Sequence, residues 1–172
     1  MAEWSFSQGA DFVGLVLAPS RRQLSIKQAQ AIVRAVPGKY VAVVWAPEPT
    51  ELDEIFSELE VVAVQHHGSR AFDWIETTHA ANRLAIATDL DPRADIVLLD
   101  GIEPGSGQAR DWQRPDWHRP VWLAGGLNPH NVGFVVRELH PDGVDVSSGV
   151  ESGGSKNRAL IGQFVREAKQ WL

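Results

Sequence analysis

Seven short apolar runs, spaced along the whole chain, constrain its fold more than any single residue. They are Phe12–Leu17 (FVGLVL), Tyr40–Trp45 (YVAVVW), Val61–Gln65 (VVAVQ), Arg83–Thr88 (RLAIAT), Asp95–Asp100 (DIVLLD), Val121–Gly126 (VWLAGG) and Gly143–Gly149 (GVDVSSG). Apolar and β-branched residues fill nearly every position instead of alternating with polar ones. That is how strands covered on both faces read, as in a parallel sheet. Between them lie helix signatures: Ser25 before IKQAQAIVRAV, Pro49 opening TELDEIFSEL, Asn128-Pro129 before NVGFVVREL, and Asn157 before the closing RALIGQFVREAKQWL. Ser and Asn suit the N-cap, and Pro suits the first helical position. Seven strands with five or six helices between them predict βαβ units. Thr88–Asp95 is too short for a full helix, so one crossover is reduced to a turn. Gly101–Arg119, rich in Gly, Pro and charge, reads as a long functional loop.

Length favours one domain over 1–172, and no linker or low-complexity tract interrupts it. A net charge of −6 argues against a nucleic-acid surface, which needs clustered Lys and Arg. It leaves room for a small phosphate ester held by backbone N–H groups. With no cysteine among the 172 residues, disulfides and thiolate chemistry are excluded for them. No apolar stretch approaches the ~20 residues of a membrane span, and MAEWSFSQGADF lacks the plan of a signal peptide. A soluble cytoplasmic protein, with no membrane partner, is the default.

No G-x-G-x-x-G follows an early strand, which speaks against an open dinucleotide-binding sheet. The glycine-rich turns come late, as Ala124–Leu127 (AGGL) and Ser147–Gly154 (SSGVESGG). In β/α barrels the loops after the last two strands often hold phosphate. Either turn alone is equally well a tight βα connection; two on consecutive strand ends favour a phosphate site. The length sits below the ~200 residues usual for such barrels.

From GADFVGLVLAPSRRQLS through AVQHHG, IVLLD, GSGQARDW, LAGGLNPHNV and GVDVSSGVESGGSK, order and spacing resemble the phosphoribosylanthranilate isomerase family. The resemblance runs from about Gly9 to the C-terminus, and GGLNPHNV followed by VDVSSGVE are its most specific strings. It implies a TIM (β/α) barrel-like fold and a cofactor-free Amadori rearrangement of N-(5-phosphoribosyl)anthranilate in tryptophan biosynthesis. A general acid opens the furanose ring by protonating its oxygen, and a general base removes the C2′ proton from the resulting Schiff base.

By the same resemblance Asp100 is the general acid, on a strand end where burial would raise its pKa. Taken alone, an Asp ending a strand reads as a loop anchor or N-cap. Arg22 matches an arginine addressing the anthranilate carboxylate, and Arg21 reads as its solvated neighbour. His67 matches the family histidine in substrate binding. Asp145 points to a sugar hydroxyl or an orienting hydrogen bond, with a buried Asp satisfied by backbone nearly as good a reading. Gly125, Gly126 and Leu127 match one half of the phosphate grip, and Ser147, Ser148 and Gly149 the other. His66 stands where the family has leucine; adjacent strand residues point to opposite faces, so a metal pair is not expected.

Three departures stand out. The family's first strand carries a K-x-C-G motif whose cysteine is the general base, and MAEWSFSQGADF corresponds only to the end of the first helix. A lysine expected on the fifth strand is replaced within AIATDL, and Gly-x-Lys-Asp reads Gly154-Ser155-Lys156-Asn157. The expectation is an incomplete barrel lacking its first strand, with binding intact and isomerase activity weak or absent. A non-catalytic sugar-phosphate-binding or assembly protein is the alternative. An open barrel edge would invite a homodimer, and Trp74, Trp112 and Trp117 would suit an interface, although packing beneath loops is the simpler role for each.

Overall fold

A computed structural model describes residues 1–68, 73–100 and 115–172. The chain divides into two compact units, one formed by Asp11–Ile96 and the other by Glu3–Ala10 with Val97–Leu172.

In the first unit β1 (Val13–Val16), β2 (Tyr40–Trp45), β3 (Ala63–His67) and β4 (Leu84–Ala87) pair in parallel and in chain order. The register sets Val13 beside Tyr40, Trp45 beside His67, and Ala63 beside Leu84. Parallel neighbours require crossovers, supplied here by α2 (Ile26–Ala35), α3 (Pro49–Glu58) and α4 (Trp74–Ala80). Each starts where local chemistry satisfies its first amides. Ser25 and Gln28 form a reciprocal capping box on α2, a pairing worth ~1 kcal/mol. Pro49 opens α3, and Asp73 accepts the Glu76 N–H at the start of α4. Tyr40, Val41, Ala42 and Val44 of β2 are all buried, as a strand covered on both faces must be.

After β4 the crossover is a turn, and side-chain bonds fasten it in place of a helix. Arg93 bridges Asp91 and Asp73, while Asp95 accepts the Ala85 N–H and meets His79, each at 2.8 Å.

In the second unit β5 (Ile96–Asp100, its first residue at the end of the other unit), β6 (Val121–Ala124) and β7 (Gly143–Val144) are again parallel and in chain order. Helix α5 (Val132–Leu139) joins β6 to β7. Beyond β7 come a single 3-10 turn (Ser148–Val150), a small antiparallel hairpin of β8 (Glu151–Ser152) and β9 (Ser155–Lys156), and α6 (Arg158–Lys169). Asn157 caps α6 by accepting from Ala159 and Leu160, as its sequence position predicts. Val121, Leu123, Leu127, Val135, Val150 and Phe164 form this unit's core. The N-terminal segment is α1 (Ala2–Ser7), in keeping with a helix end, and Trp4 Nε1 donates to the Arg158 carbonyl at 2.9 Å.

All seven runs are strands, four in one unit and three in the other. One helix start moves: Asn128 does not cap α5. Residues 128–131 make a turn instead, in which Asn128 Oδ1 accepts the His130 N–H and Asn131 becomes the cap. Two asparagines three residues apart both offer capping chemistry, and the turn uses the first to shape the loop. Trp74 is fully buried and Trp117 packs against the second unit's core, so both serve packing; Trp112 lies outside the described residues.

Candidate functional site

Every singled-out residue lies at the C-terminal end of a parallel strand or in the loop that follows one, which is where β/α folds place their chemistry. In the first unit Arg22 sits in the loop after β1, half-buried, with its N–H donated to Ser20 Oγ at 3.2 Å. Arg21 is exposed. His67 ends β3, and its Nε2 lies 2.8 Å from Gln65 Nε2. The Gln65 amide thus holds the His67 ring at the strand end. His66 faces the other way, buried and stacked on Trp74 with ring centroids 4.6 Å apart. The two histidines therefore diverge, as strand alternation requires.

In the second unit the loops after β6 and β7 are built as a pair. Gly125 and Gly126 both adopt left-handed backbone, with φ of 77° and 67°. A Cβ on Gly126 would meet nothing within 4 Å, so conformation and not crowding requires glycine there. At Gly149 crowding decides: a Cβ would stand 1.8 Å from the Leu127 carbonyl oxygen. The two loops touch, backbone against backbone, and only glycine permits it.

The two strand-end carboxylates of this unit differ. Asp100, closing β5, is exposed, so the burial expected to raise its pKa is not found. The strand ends at the surface just before the Gly101–Arg114 segment, which lies outside the described residues together with GSGQARDW. Asp145 is the protected carboxyl. Burial pushes its pKa up, the charge of Asp100 adds to the rise, and Lys156 and the Val146 N–H oppose it. Asp145 thus favours its proton more strongly than a solvated carboxyl does.

Two participants were missed in the sequence. Gln65 orients His67, and the signal was available, since residues two apart on a strand share a face. Lys156 approaches both Asp145 and the Ser147 loop. No sequence signal places it there, because only the β8–β9 hairpin brings Lys156 back to a loop nine residues earlier.

Known proteins share this arrangement. The sequence signature of N-(5'-phosphoribosyl)anthranilate (PRA) isomerase matches residues 2–167. The chain belongs to this isomerase family. An N-(5'-phosphoribosyl)anthranilate isomerase of Streptococcus pneumoniae is 37% identical over 180 residues, covering 99% of this chain and 90% of its own. The phosphoribosyl anthranilate isomerase of Thermus thermophilus superposes with a TM-score of 0.79 at 29% identity, covering 97% of this chain and 92% of its own. A phosphoribosyl anthranilate isomerase solved in complex with reduced 1-(o-carboxyphenylamino)-1-deoxyribulose 5-phosphate gives 0.72 at 30% identity, covering 97% and 91%. The α/β class with a TIM-barrel-like run of parallel strands, and the relation to tryptophan-pathway isomerases, stand on these matches. Among the described residues no helix is long and apolar enough to cross a membrane.

Proposed function

We propose that the 172-residue chain binds phosphoribosylated anthranilate or its rearranged product through its family's site residues, and that by itself it isomerises weakly. The observation that carries this reading is the interlocked pair of loops, Gly125–Leu127 and Ser147–Gly149, on consecutive strand ends. Their backbone is fixed by packing before any ligand arrives, which is what an oxyanion grip made of amides needs. In this reading those loops take the 5′-phosphate and Arg22 takes the anthranilate carboxylate. His67, its ring held by Gln65, hydrogen-bonds the ligand.

Asp100 is assigned the ring-opening proton transfer. Its exposure suits a group that must exchange protons with solvent between turnovers, and it is the residue that matches the family acid. Asp145, the better proton-holder, is assigned a hydrogen bond to a sugar hydroxyl. The weak-turnover element rests on the resemblance, which assigns base work to a cysteine that these 172 residues do not contain. A positioned base contributes ~10²–10⁴-fold, so its absence leaves binding intact and slows the C2′ proton transfer by about that factor. Non-catalytic sugar-phosphate binding is the limiting case of the same site. The cytoplasm is the proposed location.

Fluorescence-monitored turnover of N-(5-phosphoribosyl)anthranilate by this chain, with Asp100→Asn alongside, tests the reading. Slow turnover that the Asp100 change abolishes, with saturable binding of the reduced product analogue, supports it. Turnover at the rate of a complete family enzyme would overturn the assignment of weak activity. Failure to bind the analogue would overturn the site.

A further inference from the structure

Lys156 is the third element of the second unit's loop pair, and the reaction's acid–base roles do not use it. It sits on β9, and its ammonium reaches back over the loop that follows β7. It donates to the Ser147 carbonyl at 2.7 Å and to Ser147 Oγ at 3.3 Å. A third contact, 3.4 Å to Glu151 Oε1, holds it from the side, and that carboxylate is itself nearly buried at 7% exposure.

A trans peptide is planar, and its C=O and N–H point in opposite directions. Lys156, together with the weaker Val150 N–H at 3.4 Å on the same oxygen, ties down the Ser147 carbonyl and so sends the Ser148 N–H the other way. It also keeps the negative end of that peptide from turning toward an anion. The partner loop uses the same device with neutral donors. The Gly126 carbonyl accepts from Asn131 Nδ2 at 3.0 Å and from Asn128 Nδ2 at 3.3 Å, which directs the Leu127 N–H away from them. In both loops a side-chain donor captures one carbonyl and so aims the next amide.

We propose that Lys156 is a positioning residue for phosphate recognition, holding the Ser147–Ser148 peptide in the one orientation that presents an N–H to the ligand's phosphate. This rests on the phosphate reading of the loops given above. It adds that their competence depends on a tether from outside either loop, an ammonium whose place is fixed by Glu151 and by the β8–β9 hairpin. Glutamine could imitate one hydrogen bond but not the charge that attracts both Ser147 oxygens. Arginine could supply both donors and the charge.

The test compares affinities of the full 172-residue chain, its Lys156→Met variant and its Lys156→Arg variant for reduced 1-(o-carboxyphenylamino)-1-deoxyribulose 5-phosphate and for the same compound without its phosphate. The expected result is a wild-type preference for the phosphorylated form that Lys156→Met cuts by ~10-fold or more, about one lost charge-assisted hydrogen bond. Lys156→Arg keeps most of the preference, and Lys156→Met lowers affinity for the phosphate-free compound by much less than for the phosphorylated one. Equal loss of affinity for both compounds would mean a merely structural role and would overturn the inference. A preference unchanged in Lys156→Met would overturn it too, while leaving the phosphate site standing. A wild-type chain with no preference for the phosphorylated form would bring down the phosphate reading and this inference together. As a second readout, inorganic phosphate titrated into 15N-labelled protein should shift the Ser148 amide in wild type and in Lys156→Arg but not in Lys156→Met.

Discussion

The loops after β6 and β7 differ in kind from the loops after β1 and β3. The first pair offers backbone and is locked at several points: two left-handed glycines, the Gly149 contact with Leu127, the asparagines on Gly126 and Lys156 on Ser147. The second pair offers side chains on less elaborate supports: Ser20 Oγ accepts the Arg22 backbone N–H, and Gln65 contacts the His67 ring. The contrast has a physical origin. An amide N–H carries only a partial charge and reaches nowhere, so it must be aimed in advance by everything around it. A guanidinium carries a full charge on a long arm and needs only to be within reach. A backbone grip is therefore costly to disturb, and a side-chain grip is local and forgiving.

The largest effect should come from Gly149→Ala. A new methyl 1.8 Å from the Leu127 oxygen forces the two loops apart. We expect ~2–4 kcal/mol of lost stability, read by denaturant unfolding, together with loss of measurable binding of the phosphorylated analogue. Binding retained at wild-type strength would show that the loops need not touch, and the contrast would fail. On the other side, Arg22→Lys keeps the charge and loses the planar fork, so affinity should fall by ~10-fold with unfolding unchanged. A drop in stability there would mean that the β1 loop is as locked as the glycine loops.

Within the second unit the two carboxylates differ in the same way. Asp145 has a raised pKa when folded, so its proton is bound more tightly in the native state. Its stabilising contribution is complete below the unfolded carboxyl pKa and is lost as pH rises through the raised value. Asp145→Asn mimics the protonated form at every pH. Its melting temperature should exceed wild type at pH 7, by ~2–4 °C for each kcal/mol regained, and meet it below the usual carboxylate range. Asp100→Asn, at an exposed position, should leave the melting temperature unmoved. An Asp145→Asn variant that melts lower than wild type at pH 7 would mean that attraction to the Lys156 charge outweighs burial. The smallest change is His66→Leu, which restores the family's usual residue beside Trp74. It exchanges a stacked ring for an aliphatic contact and should move stability by no more than ~1 kcal/mol in either direction, with phosphate affinity untouched.

Strands such as β2, β3 and β6 were readable because burial on both faces leaves a continuous apolar run, whereas β1 and β7 carry the apolar pattern with only part of that burial. Yet α5 starts three residues later than its N-P pair suggests, because the side chains of Asn128 and Asn131 are spent on the turn before it. At the site the residue types were readable and their surroundings were not. Asp100 was expected buried and is exposed, while Asp145, left between a sugar contact and a structural role, is the carboxyl that burial perturbs.

The sequence by itself determined the parallel β/α rhythm, the family, the shortened crossover after β4 and the glycines that make two loops special. These follow from near-neighbour physics: hydrophobic periodicity, capping chemistry and the conformations open to glycine. Three-dimensional packing alone made Gly149 a glycine because of Leu127, closed Lys156 on Ser147 and raised the pKa of Asp145. Each of those depends on atoms brought together across turns and hairpins. Desolvation and packing are set by all neighbours in space, and the order of residues along a chain names only two of them.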